Sequence, residues 1–252
     1  MDVQTLIIVI TGAAVAGFVQ GLSGFAFGMV SMSFWAWTID PRLAAAMAVF
    51  GSLTGQIIAA VTVRRGFDIR KLAPFVLGGL LGLPLGLLLL PRLDVLMFKA
   101  LLGALLVTAC PAMFFSASLP RFTRGGRVAD GLAGAGGGFM GAFGGFTGVV
   151  PTLWCTLRGM DKDSQRAVIQ NFNLAMLAVT FASYIATGFI TTATLPWFAI
   201  VAPAMLIPSL LGARLYIGIS EATFRKVVLG LLTCTGVALL VASVPGLLRR
   251  LG

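Results

Sequence analysis

Apolar runs of about 20 residues follow one another through most of the chain, separated by short turns that hold nearly all the charge. At about 1.5 Å per residue, one such run matches the hydrocarbon thickness of a bilayer. The runs are continuous and do not alternate with period two over about 10 residues, so they read as helices and not as barrel strands. Composition agrees, with 58% hydrophobic and only 10% charged residues, against roughly 25% charged in a soluble domain. The fold class expected is an all-α polytopic membrane protein with no sizeable polar domain. The net charge of +10 then reads as an orientation signal in loops, which makes the lipid bilayer the expected partner and nucleic acid an excluded one. The opening Met1-Asp2-Val3-Gln4 lacks the basic n-region of a cleaved signal peptide, so the first run is expected to stay in the fold.

Two of the runs contain an anomaly. Residues 17–28, GFVQGLSGFAFG, and 138–148, GFMGAFGGFTG, put glycines where an unbroken helix would be expected. Unwound backbone at membrane depth survives only when buried in protein or lining a polar cavity, so these breaks must face inward. Past each break a new half-helix begins, and its N-terminus offers unpaired N–H groups and the positive end of a dipole. That is a pocket for an anion. Gly21, Ser23, Gly24 and Phe25 of the first break and Gly144, Gly145, Phe146, Thr147 and the following Pro151 of the second are its candidate residues.

The runs fall into two sets of four. The first set is a broken run over 3–38 and helices over 43–63, 72–90 and 97–115; the second is a broken run over 128–157 and helices over 167–187, 195–215 and 227–244. Residues 1–118 and 128–248 are the two expected repeats, joined by a linker at 119–127 that carries Arg121, Arg124 and Arg127. A shift of 121 residues pairs Gly17-Phe18 with Gly138-Phe139, Gly24-Phe25 with Gly145-Phe146 and Asp40 with Asp161. Order and spacing of landmarks point to an internal duplication.

The basic residues decide the handedness of the repeat. If each broken run crossed the membrane once, 9 of the 18 Lys and Arg would lie inside, which is no bias; if each dips in and returns, the split is 13 inside and 5 outside. The second arrangement gives an odd number of crossings per half, hence inverted-topology repeats with both termini outside, a transporter pattern. The broken runs, about 36 and 30 residues long, would each hold two half-length helices, though a full span plus a short re-entrant piece also fits.

Polar residues inside spans face bundle interiors and serve either packing or ligands. Asn171 and Asn173 in the sixth run, aligned with Phe50 and Ser52 in the second, and Gln56 beside them complete the candidate substrate contacts. No carboxylate, Lys or Arg is expected deep in a continuous span, and there is no histidine, so no proton relay is legible. Cys110, Cys155 and Cys234 lack metal or redox spacing and read as small core residues, Cys155 alone lying near a break. No cofactor, metal or catalytic residue is assigned. Gly21-Leu22-Ser23-Gly24 superficially matches an intramembrane serine protease motif, but without histidine that serine has no base.

The paired glycine stretches, Val149-Val150-Pro151, and the string PAMLIPSLLGARLYIGISEATFRKVVLGLL at 203–232 together make the sequence resemble the TauE/SafE sulfite exporter family. The resemblance covers essentially the whole chain. It implies a multi-pass permease of the bacterial inner membrane that moves small sulfur oxyanions and organosulfonates such as sulfite and sulfoacetate. An anion channel and a carrier of small carboxylates remain the alternatives, with a hydrolase a remote one, and a homodimer is left open. The first half departs from the family pattern, with GLSGFAFGMVSMSF in place of a more glycine-rich stretch and no counterpart of Pro151.

Overall fold

The helix starts are written into the turns by aspartates. Asp40, Asp68, Asp94 and Asp161 each accept backbone N–H bonds from the first turn that follows, for example Met97 to Asp94 and Ser164 to Asp161, both at 2.8 Å. These side chains satisfy donors that a helix cannot pair for itself. The computed structural model describes residues 2–24, 26–62, 66–115, 121–122, 125–215 and 221–251. Among them it is all-helical: α1 Val3–Ser23, α2 Phe27–Trp35, α3 Pro41–Thr62, α4 Ile69–Leu89, α5 Val95–Phe114, α6 Gly126–Gly141, α7 Val149–Leu157, α8 Lys162–Ala186, α9 Leu195–Leu215 and α10 Glu221–Leu251. Seven helices, α1, α3, α4, α5, α8, α9 and α10, are long and apolar enough to cross a membrane.

The broken runs divide unequally. The first gives 21 residues in α1 and 9 in α2, the second 16 in α6 and 9 in α7, where equal halves were one expectation. The reason is tertiary. Gly17 and Gly21 stay helical because they abut α9, where a Cβ on Gly17 would sit 2.5 Å from the Met205 carbonyl oxygen and one on Gly21 would collide with that of Ser209. The chain first turns left-handed at Gly24, with φ of 73°. Both short helices double back: α2 has Phe27 at Gln20 and Trp35 at Gly12 of α1, and α7 has Pro151 at Gly137 and Trp154 at Asp130 of α6.

Contacts fix the direction of four packed pairs. Gly17 faces Met205 and Gly21 faces Ser209, so α1 and α9 run parallel; Gly78 faces Gly131 and Gly82 faces Ala135, so α4 and α6 do too. Phe50 meets Phe181 and Asn171 meets Gly66, making α3 and α8 antiparallel. Gly103 meets Gly236 and Asp94 pairs with Arg250, making α5 and α10 antiparallel. One end of the bundle therefore gathers Gly66, Lys71, Arg121, Gly159 and Ser164, the other Trp37, Arg42, Pro91, Lys99 and Arg250.

The outer surface is apolar. Leu77, Leu81, Leu85 and Leu88 of α4 and Val237, Val241, Val244 and Leu248 of α10 are exposed at helical spacing. Stripes of this extent suit lipid and not water. Inside, Trp35, Phe27, Met32 and Met47 lie in the core that surrounds the two breaks.

Candidate functional site

The two breaks meet at the centre of the fold. A Cβ on Gly28, in the first turn of α2, would collide with the Gly144 carbonyl oxygen of the second break. Beside this contact lies a cavity of about 20 Å³, just above the roughly 10–15 Å³ that one water needs. Gly28 and Met29 at the start of α2 line it from one side, and Gly145, Phe146, Thr147, Gly148 and Val149 from the other. The N-termini of two short helices from different halves thus converge on one space. N–H groups at such termini lack intrahelical acceptors, and their dipoles add. The N-cap Gly148 receives no side-chain capping bond, and among the described residues the N–H groups of Phe146, Thr147 and Gly148 have no backbone acceptor.

Side chains from α1, α3 and α8 close the cavity: Gln20, Ser52, Gln56, Asn173 and Leu177. The Thr147 hydroxyl donates to Asn173 Oδ1 at 2.9 Å. Gln56 Nε2 donates to the Gly24 carbonyl at 2.9 Å, while Gln20 Oε1 accepts from Phe27 N–H at 3.1 Å. Ser52 Oγ and Gln56 Oε1, on residues only 5% and 3% exposed, have no hydrogen-bond partner. A buried polar atom left unpaired costs about 1–3 kcal/mol, so two at one cavity mark a place built for something other than packing. No lining residue is charged.

Of the residues singled out in the sequence, Gly145, Phe146, Thr147, Asn173, Ser52 and Gln56 line the cavity. Gly24 is one step removed, through its carbonyl on Gln56, and Gly144 supplies the contact with Gly28. The others lie apart from it. Gly21 packs on Ser209, Ser23 Oγ donates to the Val19 carbonyl at 2.7 Å, and Pro151 packs against Gly137. The Asn171 amide donates to the Gly66 and Ala167 carbonyls at 3.3 and 2.9 Å, at one end of α3 and α8. Phe25 lies outside the described residues.

Two residues escaped the sequence reading. Gln20 lies just before the candidate residues of the first break, and its only signal was an amide in an apolar run. The other is Asp130, 4% exposed near the start of α6, in a broken run and not in one of the continuous spans expected to hold no carboxylate, accepting from Trp154 Nε1 at 2.8 Å and paired with Arg158 beyond the end of α7. A buried acid demands such partners, and the 28-residue spacing to Arg158 is closed only by the fold-back of α7. Outside the spans, backbone donation from Met97 and the Arg250 guanidinium hold the Asp94 carboxyl below its ordinary range, and donation from Ser164 does the same for Asp161.

Among the described residues, seven helices apolar and long enough to cross a membrane, packed around a cavity lined by helix N-termini and neutral polar side chains, define a multi-pass membrane protein. The model of the sulfite exporter TauE/SafE family matches residues 9–239, and the chain belongs to that family. It is a family of membrane transporters and not of enzymes. Neither curated proteins nor solved structures gave a match.

Proposed function

We propose that this protein is a secondary transporter of the bacterial inner membrane for small sulfur-containing anions, sulfite and organosulfonates such as sulfoacetate, working by alternating access around the cavity between the breaks. The observation that carries the reading is the convergence of the α2 and α7 N-termini on a cavity with unpaired polar atoms. Helix ends supply the positive potential an anion needs without a buried cation. At about 20 Å³ the cavity must widen to admit substrate.

The two halves are proposed to be inverted-topology repeats, with α1–α2 and α6–α7 as hairpins that dip in and return. Support comes from the lining itself. Residues 121 apart occupy it together: Ala26 and Thr147, Gly28 and Val149, Ser52 and Asn173, Gln56 and Leu177. Packing follows the same exchange, since α1 lies parallel to α9 and α6 parallel to α4. The end bearing Lys71, Arg121, Arg158 and Lys162 belongs to the loops that hold the basic majority, so it is assigned to the cytoplasm and both termini to the periplasm.

A thermal-shift screen of the purified protein against sulfite, sulfoacetate, taurine, thiosulfate and small carboxylates tests the substrate class. A ligand at 100 times its Kd adds about 2.7 kcal/mol of apparent stability. Stabilisation by carboxylates alone would move the assignment to that class. Saturable, competable uptake in liposomes distinguishes a carrier from a channel. A reporter fused after Gly252 is expected to read periplasmic, and a cytoplasmic reading overturns the topology.

A further inference from the structure

We infer that the cavity selects singly charged oxyanions that bring one hydrogen-bond donor of their own, hydrogensulfite rather than the sulfite dianion, so that the proton crosses the membrane on the substrate. This rests on the anion-transport reading above, adds the protonation state, and within that reading sets sulfite above sulfoacetate, which is doubly charged at neutral pH and carries no O–H.

The argument starts from the orientation of one amide. Gln56 Nε2 donates to the Gly24 carbonyl at 2.9 Å; flipping the amide would set oxygen against oxygen, so the network assigns Oε1 to the opposite direction. There it is buried with no partner, on a residue that lines the cavity. A carbonyl oxygen can only accept, and a fully deprotonated oxyanion can only accept as well. Such an ion would press a charged lone pair on Gln56 Oε1. A ligand with an O–H instead completes the bond, while its remaining oxygens take the N–H groups of Gly28, Phe146, Thr147 and Gly148. Ser52 Oγ, one helical turn before Gln56 and also unpaired, can serve either side.

Charge points the same way. Partial charges at two helix ends suit about one negative charge, and no lysine or arginine lines the cavity to balance a second. No lining residue from α1, α2, α3, α7, α8 or the second break is titratable. Tyr184 of α8 donates its hydroxyl to the Ala142 carbonyl, and Asp130, paired with Arg158, and Cys155 of α7 do not line the space. With no protein group there to carry a proton, the one that moves is the proton already on the anion.

The test uses the whole protein in detergent or liposomes and needs no variant at first. Sulfite binding, expressed per total sulfite, is expected to fall tenfold per pH unit above the second ionisation of sulfite, while methanesulfonate, which does not titrate, binds equally across the same range. Hydroxymethanesulfonate, with the same charge and one added O–H, is expected to bind at least about tenfold more tightly than methanesulfonate. In Gln56→Met the ratio of the two affinities falls towards one, whatever happens to the absolute affinity of either sulfonate. Equal binding of the two sulfonates, pH-independent sulfite binding, or a matching pH slope for methanesulfonate would overturn the inference and leave anion transport standing. No binding of any sulfur anion at any pH would remove the anion-transport reading itself.

Discussion

The two breaks do the same topological job with different chemistry. The first is three residues long, Gly24 to Ala26, and is clamped: Gln56 and Gln20 both aim amide nitrogens at the Gly24 carbonyl, at 2.9 and 3.5 Å, and Gln20 Oε1 takes the first N–H of α2. It also holds Ala26 at φ of 88°, the left-handed region that a non-glycine residue enters only under constraint. The second spans seven residues, 142–148, and is held at its edges by Tyr184 on the Ala142 carbonyl and Thr147 on Asn173, while the N–H groups of Phe146, Thr147 and Gly148 have no backbone acceptor among the described residues. At the positions equivalent to Gln20 and Gln56, 121 residues on, stand Gly141 and Leu177. If the halves are the repeats proposed above, two side chains specialise them: the first contributes an acceptor and rigidity, the second the richer set of donors.

The sharpest way to break this comparison is a pair of alanines. Gly24 and Gly145 have similar φ, 73° and 77°, so Ala costs each a similar 1–2 kcal/mol or so of backbone strain. A Cβ at Gly24 meets nothing within 4 Å, whereas at Gly145 it lies 3.0 Å from Leu177 and Ser52 Oγ. Gly145→Ala is expected to lower transport at least about tenfold and Gly24→Ala less than about threefold, at similar melting temperatures. Equal losses would mean that the second break has no special part in binding.

A middle-sized effect concerns what pins each short helix. The far end of α7 is fixed to Asp130 through Trp154 and Arg158, while the chain after α2 is held by Lys99, which donates to the Trp37 carbonyl at 3.3 Å and lies 5.3 Å from its ring. Because Arg158 is 35% exposed, Asp130→Ala should cost about 1–3 kcal/mol, below the range for fully buried pairs. Lys99→Met should cost under about 1 kcal/mol. Chemical denaturation in a mild detergent reads both, and the reverse order would show α2 to be the better anchored.

The smallest effect is pH. Asp94 and Asp161 titrate in the folded protein below their ordinary value of 3.8. Their caps therefore stabilise fully above that value and lose this contribution as pH falls through the lowered one. Melting temperatures measured from pH 6 to 3 should drop less for Asp94→Asn and Asp161→Asn, which keep a neutral cap. Parallel slopes in variant and parent would count against both caps.

Much was legible without coordinates because lipid imposes a simple code. Run length and missing charge determine that the chain is helical and multi-pass, since every backbone group must be paired within its own segment. Glycine clusters, repeat spacing and the family motifs likewise located two breaks and a transporter class. Which residues meet is another matter. Asn171 and Asn173 differ by about 200° around a helix, so only one can face a given cavity, and the packing of α8 on α3 decides that it is Asn173. Gln20 entered the site because α1 stays helical to Ser23, held by α9 from the other half. Asp130 became buried because α7 turns back on α6. Each of these depends on a partner more than 20 residues away in sequence, and local composition carries no record of that partner; only tertiary packing could choose it.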